Sequence, residues 1–461
     1  MNKNLEKNNA LIWDLIDNKR IQEIFKFSAL YINFLNRAKT ERETINEILS
    51  VIKNKGFANI TDIKARNKFY FTNKNKNLAL ALLGKRDLIE GLRVIVAHID
   101  TPRLDLKPNP LYEDQDLALF KTHYYGGIKK YHWVGIPLSL HGIIIKSDGS
   151  SFEISIGEKA DDPVFTIADL LPHLSKKILD NKKVSEAFLG EKLTVIVGNR
   201  PLPEKKIKNR IKLGVLEFLN RNYGVIEEDL VSAELEIVPS FKARELGFDR
   251  SLIGAYGQDD RICAYASLQA LLSQKDPEYT NFILFLDKEE IGSEGNTGAQ
   301  SRFFERCVHQ LFLKTGREPK DYQLQEVFFN SKALSADVHP AINPNYQDVH
   351  DKQNATKLGY GVTICKYNGS GGKYNSSDAH AEYVGEIRNL FNKHGIVWQT
   401  GELGKIDEGG GGTIAKYLAI YGMDIVDCGV SLLGMHSPYE VSSKADLYEA
   451  YRAYSCFLHK L

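Results

Sequence analysis

The apolar positions along the chain change their period several times, and each change marks a different kind of element. From Asn8 to about Lys55, Leu11, Ile12, Leu15, Ile16, Ile21, Ile24, Phe25, Leu30, Leu35 and Ile45 recur at steps of three and four, which predicts two helices resting one face on a core. The texture then switches to short continuous runs. LALALL at 78–83 and LRVIVAHID at 92–100 are closed by Gly84 and by Thr101-Pro102, as strands buried on both faces are.

Between about Lys107 and Ala233 the pattern changes again, to many brief β-like runs (HGIIIK, SFEISI, LTVIVG) punctuated by SDGS, by Pro201-Leu202-Pro203 and by the basic stretch EKKIKNRIK at 204–212. From Glu234 strands and helices alternate once more. ICAYASLQALL (262–272) reads as helix, NFILFLD (281–287), KALSADV (332–338) and MDIVDCGV (423–430) as strands, and the segment from Ser443 as a closing helix. The predicted fold is α/β, a mostly parallel sheet with helices on both faces, interrupted by a smaller β-rich inserted domain. The domain borders fall at 1–106 and 234–461 for the discontinuous α/β domain and at 107–233 for the insertion. The lysine-rich pieces NKNKN (73–77) and EKKIKNRIK read as solvated loops.

Composition removes several function classes. Sixty Lys and Arg against fifty-nine Asp and Glu leave a formal charge of +1, so no basic field for nucleic acid dominates the molecule. The longest uncharged run, Tyr131 to Ile145, is shorter than the roughly 18 residues a membrane-spanning helix needs. The charged N-terminus does not read as a signal peptide. Five scattered cysteines without CxxC spacing argue against a thiolate zinc site or a disulfide framework and fit a reducing cytoplasm. No GxxxxGK[ST] loop occurs, and no GxGxxG follows a strand.

In an α/β sheet, ligands gather beyond the carboxyl ends of the strands, so polar residues directly after apolar runs are the candidates. Five places qualify: His98-Ile99-Asp100, Asp259-Asp260, Glu289-Glu290, Asp337 and His436. Any one of these alone is more often a cap or a turn former. Together they make a nitrogen and oxygen donor set suited to zinc, manganese or cobalt, and large enough for two ions. A carboxylate beside such ions must move the proton of the attacking water, and Glu289-Glu290 offers one ligand and one base. Asp100, two residues after His98, could accept the other ring N–H of that histidine.

AHIDTPRLDLKP (97–108), GQDDR (257–261), LDKEEIGSEGNTG (286–298), SADVHPAINPNY (335–346) and GMHSPYE (434–440), in this order along nearly the whole chain, resemble the aspartyl aminopeptidase and aminopeptidase I family of dinuclear zinc peptidases. The resemblance implies that His98, Asp259 and Asp337 hold one ion and that Asp259, Glu290 and His436 hold the other, with Asp259 bridging. It implies Glu289 as general base, Asp100 as the residue that orients His98, and Asp260 as a neighbour able to favour the dipole of the helix it opens.

The resemblance also suggests a substrate cleft in CKYNGSGGKYNSSDAHAEY (365–383), with Lys366 facing the substrate's first side chain, and in GELGKIDEGGGGTIAKY (401–417), where Gly410 and Gly411 belong to four successive glycines. His173 resembles a histidine that reaches into a neighbouring subunit, which would make a homo-oligomer, in this family a tetrahedral dodecamer, a functional requirement. The implied activity is removal of the first residue from short peptides with a free N-terminus. First-residue preference reads as neutral or broad from GQDDR, whereas Lys366 suits an acidic side chain. The rival readings are a dinuclear dipeptidase, carboxypeptidase or deacylase, and a catalytically silent shell.

Overall fold

A computed structural model describes residue 5, residues 9–64 and residues 66–461. Every position of the strand Asn77–Leu82 is buried, and its side chains divide by parity: Leu78, Leu80 and Leu82 join one apolar cluster, Ala79 and Ala81 the other. Arg93–His98 and Asn281–Leu286 divide in the same way, with Ile95, Ala97, Ile283 and Phe285 on the first side and Val94, Val96, Phe282, Leu284 and Leu286 on the second. Continuous apolar runs are what a strand covered on both faces requires.

These strands belong to a nine-stranded sheet, in spatial order Ala58–Asn59, Lys68–Asn73, Asn77–Leu82, Asn281–Leu286, Arg93–His98, Lys332–Ser335, Asp424–Gly429, Val362–Cys365 and Trp398–Thr400. The four strands from Asn281–Leu286 to Asp424–Gly429 are mutually parallel, and antiparallel joints lie on either side of them. One face is covered by the helices Asn18–Leu35, Glu41–Lys53, Gln258–Leu272, Ala381–Lys393 and Lys444–Lys460, the other by Phe303–Lys314, Asp321–Phe329 and Ala415–Ala419. Burying one side chain such as Phe285 contributes on the order of 2–3 kcal/mol.

The two helices expected at the N-terminus are Asn18–Leu35 and Glu41–Lys53; Asn8, where the periodic stretch opens, lies outside the described residues. Glu41–Lys53 opens on a capping box in which the Thr40 hydroxyl and the Glu43 carboxylate satisfy each other's backbone N–H groups. NKNKN departs from the solvated loop expected of it. Lys74 and Asn75 both have φ of 53°, and Lys76 N–H donates to the Asn73 carbonyl, so the segment is a tight hairpin turn whose geometry matches the strand twist. Asn77 is buried, and Lys76 lies largely inside the protein.

The chain divides into two compact units. The larger runs to Asp100 and resumes over Ala243–Met435 and Tyr439–Leu461; the smaller is Thr101–Lys242 with His436–Pro438. Besides the large sheet, the first unit contains a five-stranded sheet in the order Arg244–Leu246, Leu252–Ala255, Glu440–Ser443, Ser431–Leu433 and His339–Pro340.

The smaller unit is built on a six-stranded antiparallel sheet, in the order Ser151–Ile156, Leu138–Ile145, Glu234–Pro239, Arg103–Asp114, Leu117–Tyr125 and Thr194–Gly198. It also holds a helix, Arg210–Tyr223, which the β-like texture does not suggest and which begins inside EKKIKNRIK. The Glu113 carboxylate accepts the N–H groups of Ile211 and Lys212 at 2.8 and 2.9 Å and so caps that helix, and Gly224, with φ of 65°, ends it. Among the described residues no helix is long and apolar enough to cross a membrane.

Candidate metal centre

His98 is the last residue of its strand, Asp337 comes two positions after Lys332–Ser335, and Glu289 and Glu290 follow Asn281–Leu286. All three strands are parallel neighbours, so their carboxyl ends share one edge. Asp259 and Asp260 reach the same place from the start of the helix Gln258–Leu272, where both depart from helical φ and ψ and are joined by a cis peptide bond.

The ligand atoms of His98, Asp259 and Glu290 lie within 4.8 Å of one another, as do those of His98, Asp260 and Asp337. His98 is common to both groups. Its Nε2 is 3.0 Å from Asp259 Oδ1 and 3.8 Å from Asp337 Oδ1. Asp260, expected only to favour a helix dipole, is as much a member of the cluster as Asp259. The backbone N–H groups at that helix end are met elsewhere, by Glu440, whose carboxylate accepts from Gln258 at 2.7 Å and from Asp259 at 3.1 Å.

The backbone carbonyl of Asp100 lies 3.0 Å from Nδ1 of His98, and the Asp100 carboxylate lies 3.4 Å from it. A carbonyl can only accept, so Nδ1 carries a proton, and Nε2 is the nitrogen that faces the carboxylates and would supply a lone pair to a bound cation. The two Asp100 carboxylate oxygens accept the backbone N–H groups of Glu289 and Glu290, each at 3.2 Å. Asp100 therefore fixes both the histidine ring and the doublet.

The electrostatics match this crowding. Burial works against a charged His98 ring, yet its contacts with Asp100 and Asp259 hold its pKa well above the usual imidazole range. Burial pushes the Asp337 carboxyl well up, with the charges of Glu289, Asp259 and Asp427 adding and His98 opposing; burial likewise raises Asp260. Several buried carboxylates facing one imidazole nitrogen hold a proton there in the absence of metal, and a divalent cation in the same place would neutralise the carboxylates and take the Nε2 lone pair instead. The residues present thus fit a zinc ion on the chemistry of their donors.

The other expected residues are placed as follows. His436 belongs to the smaller unit, has φ of 63°, and donates from Nδ1 to the Gly127 carbonyl at 2.9 Å. His173 lies on the exposed turn of helix Pro172–Ser175 in that same unit. Lys366 is exposed directly after Val362–Cys365. Gly411 accepts the Gly369 N–H at 2.7 Å, and a Cβ on Gly410, whose φ is 141°, would lie 2.2 Å from the Gly369 carbonyl oxygen.

Sequence reading missed three supporting side chains. Glu440 stands inside GMHSPYE, where His436 drew the interest. Lys76, in the supposed loop, lies 3.0 Å from Glu41 and 3.9 Å from Asp287, beside the Thr297 hydroxyl that donates to Asp287 at 2.7 Å. Burial, with the charges of Glu41 and Asp100 adding and Lys76 opposing, pushes Asp287 up to about 7. The third is Asp427.

The family model of the aminopeptidase I zinc metalloproteases (M18) matches residues 34–458. A probable M18 family aminopeptidase 1 of Thermotoga maritima is 52% identical over 446 residues, 96% of this chain and 98% of that protein, and one of Clostridium acetobutylicum is 48% identical over 97% of each. The crystal structure of an M18 aminopeptidase from Thermotoga maritima superposes with a TM-score of 0.95 at 51% identity, covering 99% of this chain and all of that one. A dodecameric aminopeptidase of S. cerevisiae, 21% identical with a TM-score of 0.74 over 95% of this chain and 97% of its own, shares the fold. On this evidence the chain belongs to the M18 family of aminopeptidase I zinc metalloproteases and is a zinc-dependent aminopeptidase.

Proposed function

We propose that this protein removes the N-terminal residue from short peptides with a free α-amino group, using two divalent ions, zinc first and cobalt or manganese as substitutes. The observation that carries this reading is the approach of His98 Nε2 to the carboxylates of Asp259 and Asp337, with Glu290 and Asp260 in the same cluster. His98, Asp259 and Asp337 hold one ion; Asp259, Glu290 and His436 hold the other.

Ions held there would supply a water of pKa lowered towards about 7 and polarisation of the scissile carbonyl. The chain's own residues do the remainder. Glu289 takes the proton of the attacking water and delivers it to the leaving amine as the C–N bond breaks. Asp100 keeps Glu289 and Glu290 at a fixed distance through their backbone N–H groups and keeps His98 in the Nδ1–H tautomer. Lys366, Gly410 and Gly411 receive the substrate's first residue, for which a neutral or broad preference is proposed.

The protein works in the cytoplasm as a homo-oligomer, a tetrahedral dodecamer, with His173 acting in a neighbouring subunit. Exposed Leu171 and Leu174 on either side of His173 support a covered surface there. Aminoacyl amides and their N-blocked counterparts, assayed with zinc, cobalt and manganese, test the reading. Release of the first residue from the unblocked substrates alone is expected. Equal cleavage of the blocked ones would replace an aminopeptidase by a deacylase or carboxypeptidase, and no cleavage by the metal-loaded protein would leave a silent shell.

A further inference from the structure

Asp427 lies in the strand Asp424–Gly429, opposite Ser335 of the strand that leads to Asp337, and is 6% exposed. Its two carboxylate oxygens are taken by two different loops. Oδ1 accepts the Thr413 hydroxyl at 2.7 Å, and Oδ2 accepts the Asn368 side-chain amide at 2.8 Å. Asn368 Nδ2 is also 3.1 Å from the Thr413 hydroxyl, so the three side chains close a triangle.

The loops are joined again by the Gly369 N–H to Gly411 carbonyl bond and by the close approach of Gly410 to Gly369. Within the first loop, Asn368 N–H donates to the Ser376 hydroxyl at 3.1 Å. Beyond the second, the Tyr417 hydroxyl donates to the carbonyl of Gly292, two residues after Glu290, at 2.9 Å. The C-terminal end of the glycine loop is thus tied to Asp427 through Thr413, and the helix that follows it is tied to the segment carrying the Glu289-Glu290 doublet.

We infer that Asp427 is a positioning residue that sets the spacing of the loops carrying Lys366 and Gly410-Gly411, and through them the fit of the substrate's first residue. The inference rests on the proposed function, in which those two loops receive the substrate. A carboxylate satisfies both bonds at once. Two donors converge on the side chain, and a carboxylate offers each an accepting oxygen, whereas an amide could accept from only one of them and would turn an N–H towards the other. A buried charge held by neutral donors is worth keeping only where both bonds are made, because each unmet donor carries its full desolvation cost.

Full-length zinc-loaded enzyme, hydrogen exchange and steady-state kinetics on an unblocked dipeptide test the clamp. Asp427→Asn should speed exchange over residues 368–376 and 409–413 by about tenfold, the effect of one lost charge-assisted hydrogen bond. It should raise KM by about fivefold, with kcat and zinc content within about twofold of wild type. The exchanged pair Asn368→Asp with Asp427→Asn restores a donor opposite each acceptor and should recover both readouts.

Thr413→Val, which removes a single bond, should move both readouts in the same direction and by less, and it decides the matter if Asp427→Asn does not fold. Unchanged exchange in both variants, or a fall in kcat and zinc content at constant KM, overturns the inference. A wild-type enzyme that cleaves no dipeptide overturns the function on which it rests, while the exchange data still decide whether Asp427 ties the loops.

Discussion

Nε2 of His98 lies 3.0 Å from Oδ1 of Asp259, although 161 residues of chain separate them. His98 ends a strand and Asp259 begins a helix. What unites them is the buried carboxylate of Glu440, which draws the Asp259 backbone into place, and the Asp100 carbonyl, which turns the imidazole. The centre is therefore held from behind by groups that do not themselves need to touch a metal.

Glu289→Gln should keep its full complement of zinc and lose about 10³-fold in kcat, the usual span for a positioned acid-base group. Metal analysis beside kinetics on an unblocked dipeptide checks this. Activity near wild type would remove Glu289 from proton transfer.

Asp100→Ala frees the Glu289 and Glu290 N–H groups and removes the carboxylate beside His98 Nδ1, while the backbone carbonyl that accepts from the ring stays. Zinc affinity should drop about 10- to 100-fold, as when partners behind metal ligands are lost in other sites. Competition with a chromogenic chelator measures it; an unchanged affinity would deny Asp100 its orienting role.

Lys76→Met leaves the buried carboxylates of Glu41 and Asp287 facing each other without their cation. Breaking such a cluster should lower unfolding stability by about 3 kcal/mol. Urea titration reads the change, and a loss under about 0.5 kcal/mol would place Lys76 among ordinary surface lysines.

Asp446, fully buried at the start of the closing helix, accepts the N–H groups of Gly359 and Gly361, each at 2.7 Å. Burial pushes its carboxyl up to about 7 against those two bonds, with Glu449 adding. A carboxyl raised in the folded state contributes stability that is complete below its unfolded pKa of about 4 and lost as pH rises through about 7. Asp446→Asn cannot ionise, so its Tm relative to wild type should climb between pH 5 and pH 8. A difference constant across that range would contradict the shift.

Much of this architecture is legible in the amino-acid order because buried parallel strands must be apolar throughout, and their ends are then marked by the first polar residue. VIVAHID and ALSAD announce His98, Asp100 and Asp337 in that way. The burial of Lys76 is hidden in the sequence, because its neighbours there are polar and its partners, Glu41 and Asp287, are distant along the chain. The role of Glu440 and that of Asp427 depend on which backbone N–H or side-chain amide meets them, and only tertiary pairing decides that. The helix Arg210–Tyr223 is masked in the sequence, because its opening residues have the composition of a charged loop and its cap, Glu113, comes from a distant strand.

Anomalous diffraction at the zinc edge from crystals of the metal-loaded protein tests the account most directly. The prediction is two peaks sharing Asp259, one bonded to Nε2 of His98 and the other to the carboxylate of Glu290. Zinc bound only at positions remote from His98, or a peak that leaves Asp259 and Glu290 uncoordinated, would contradict it.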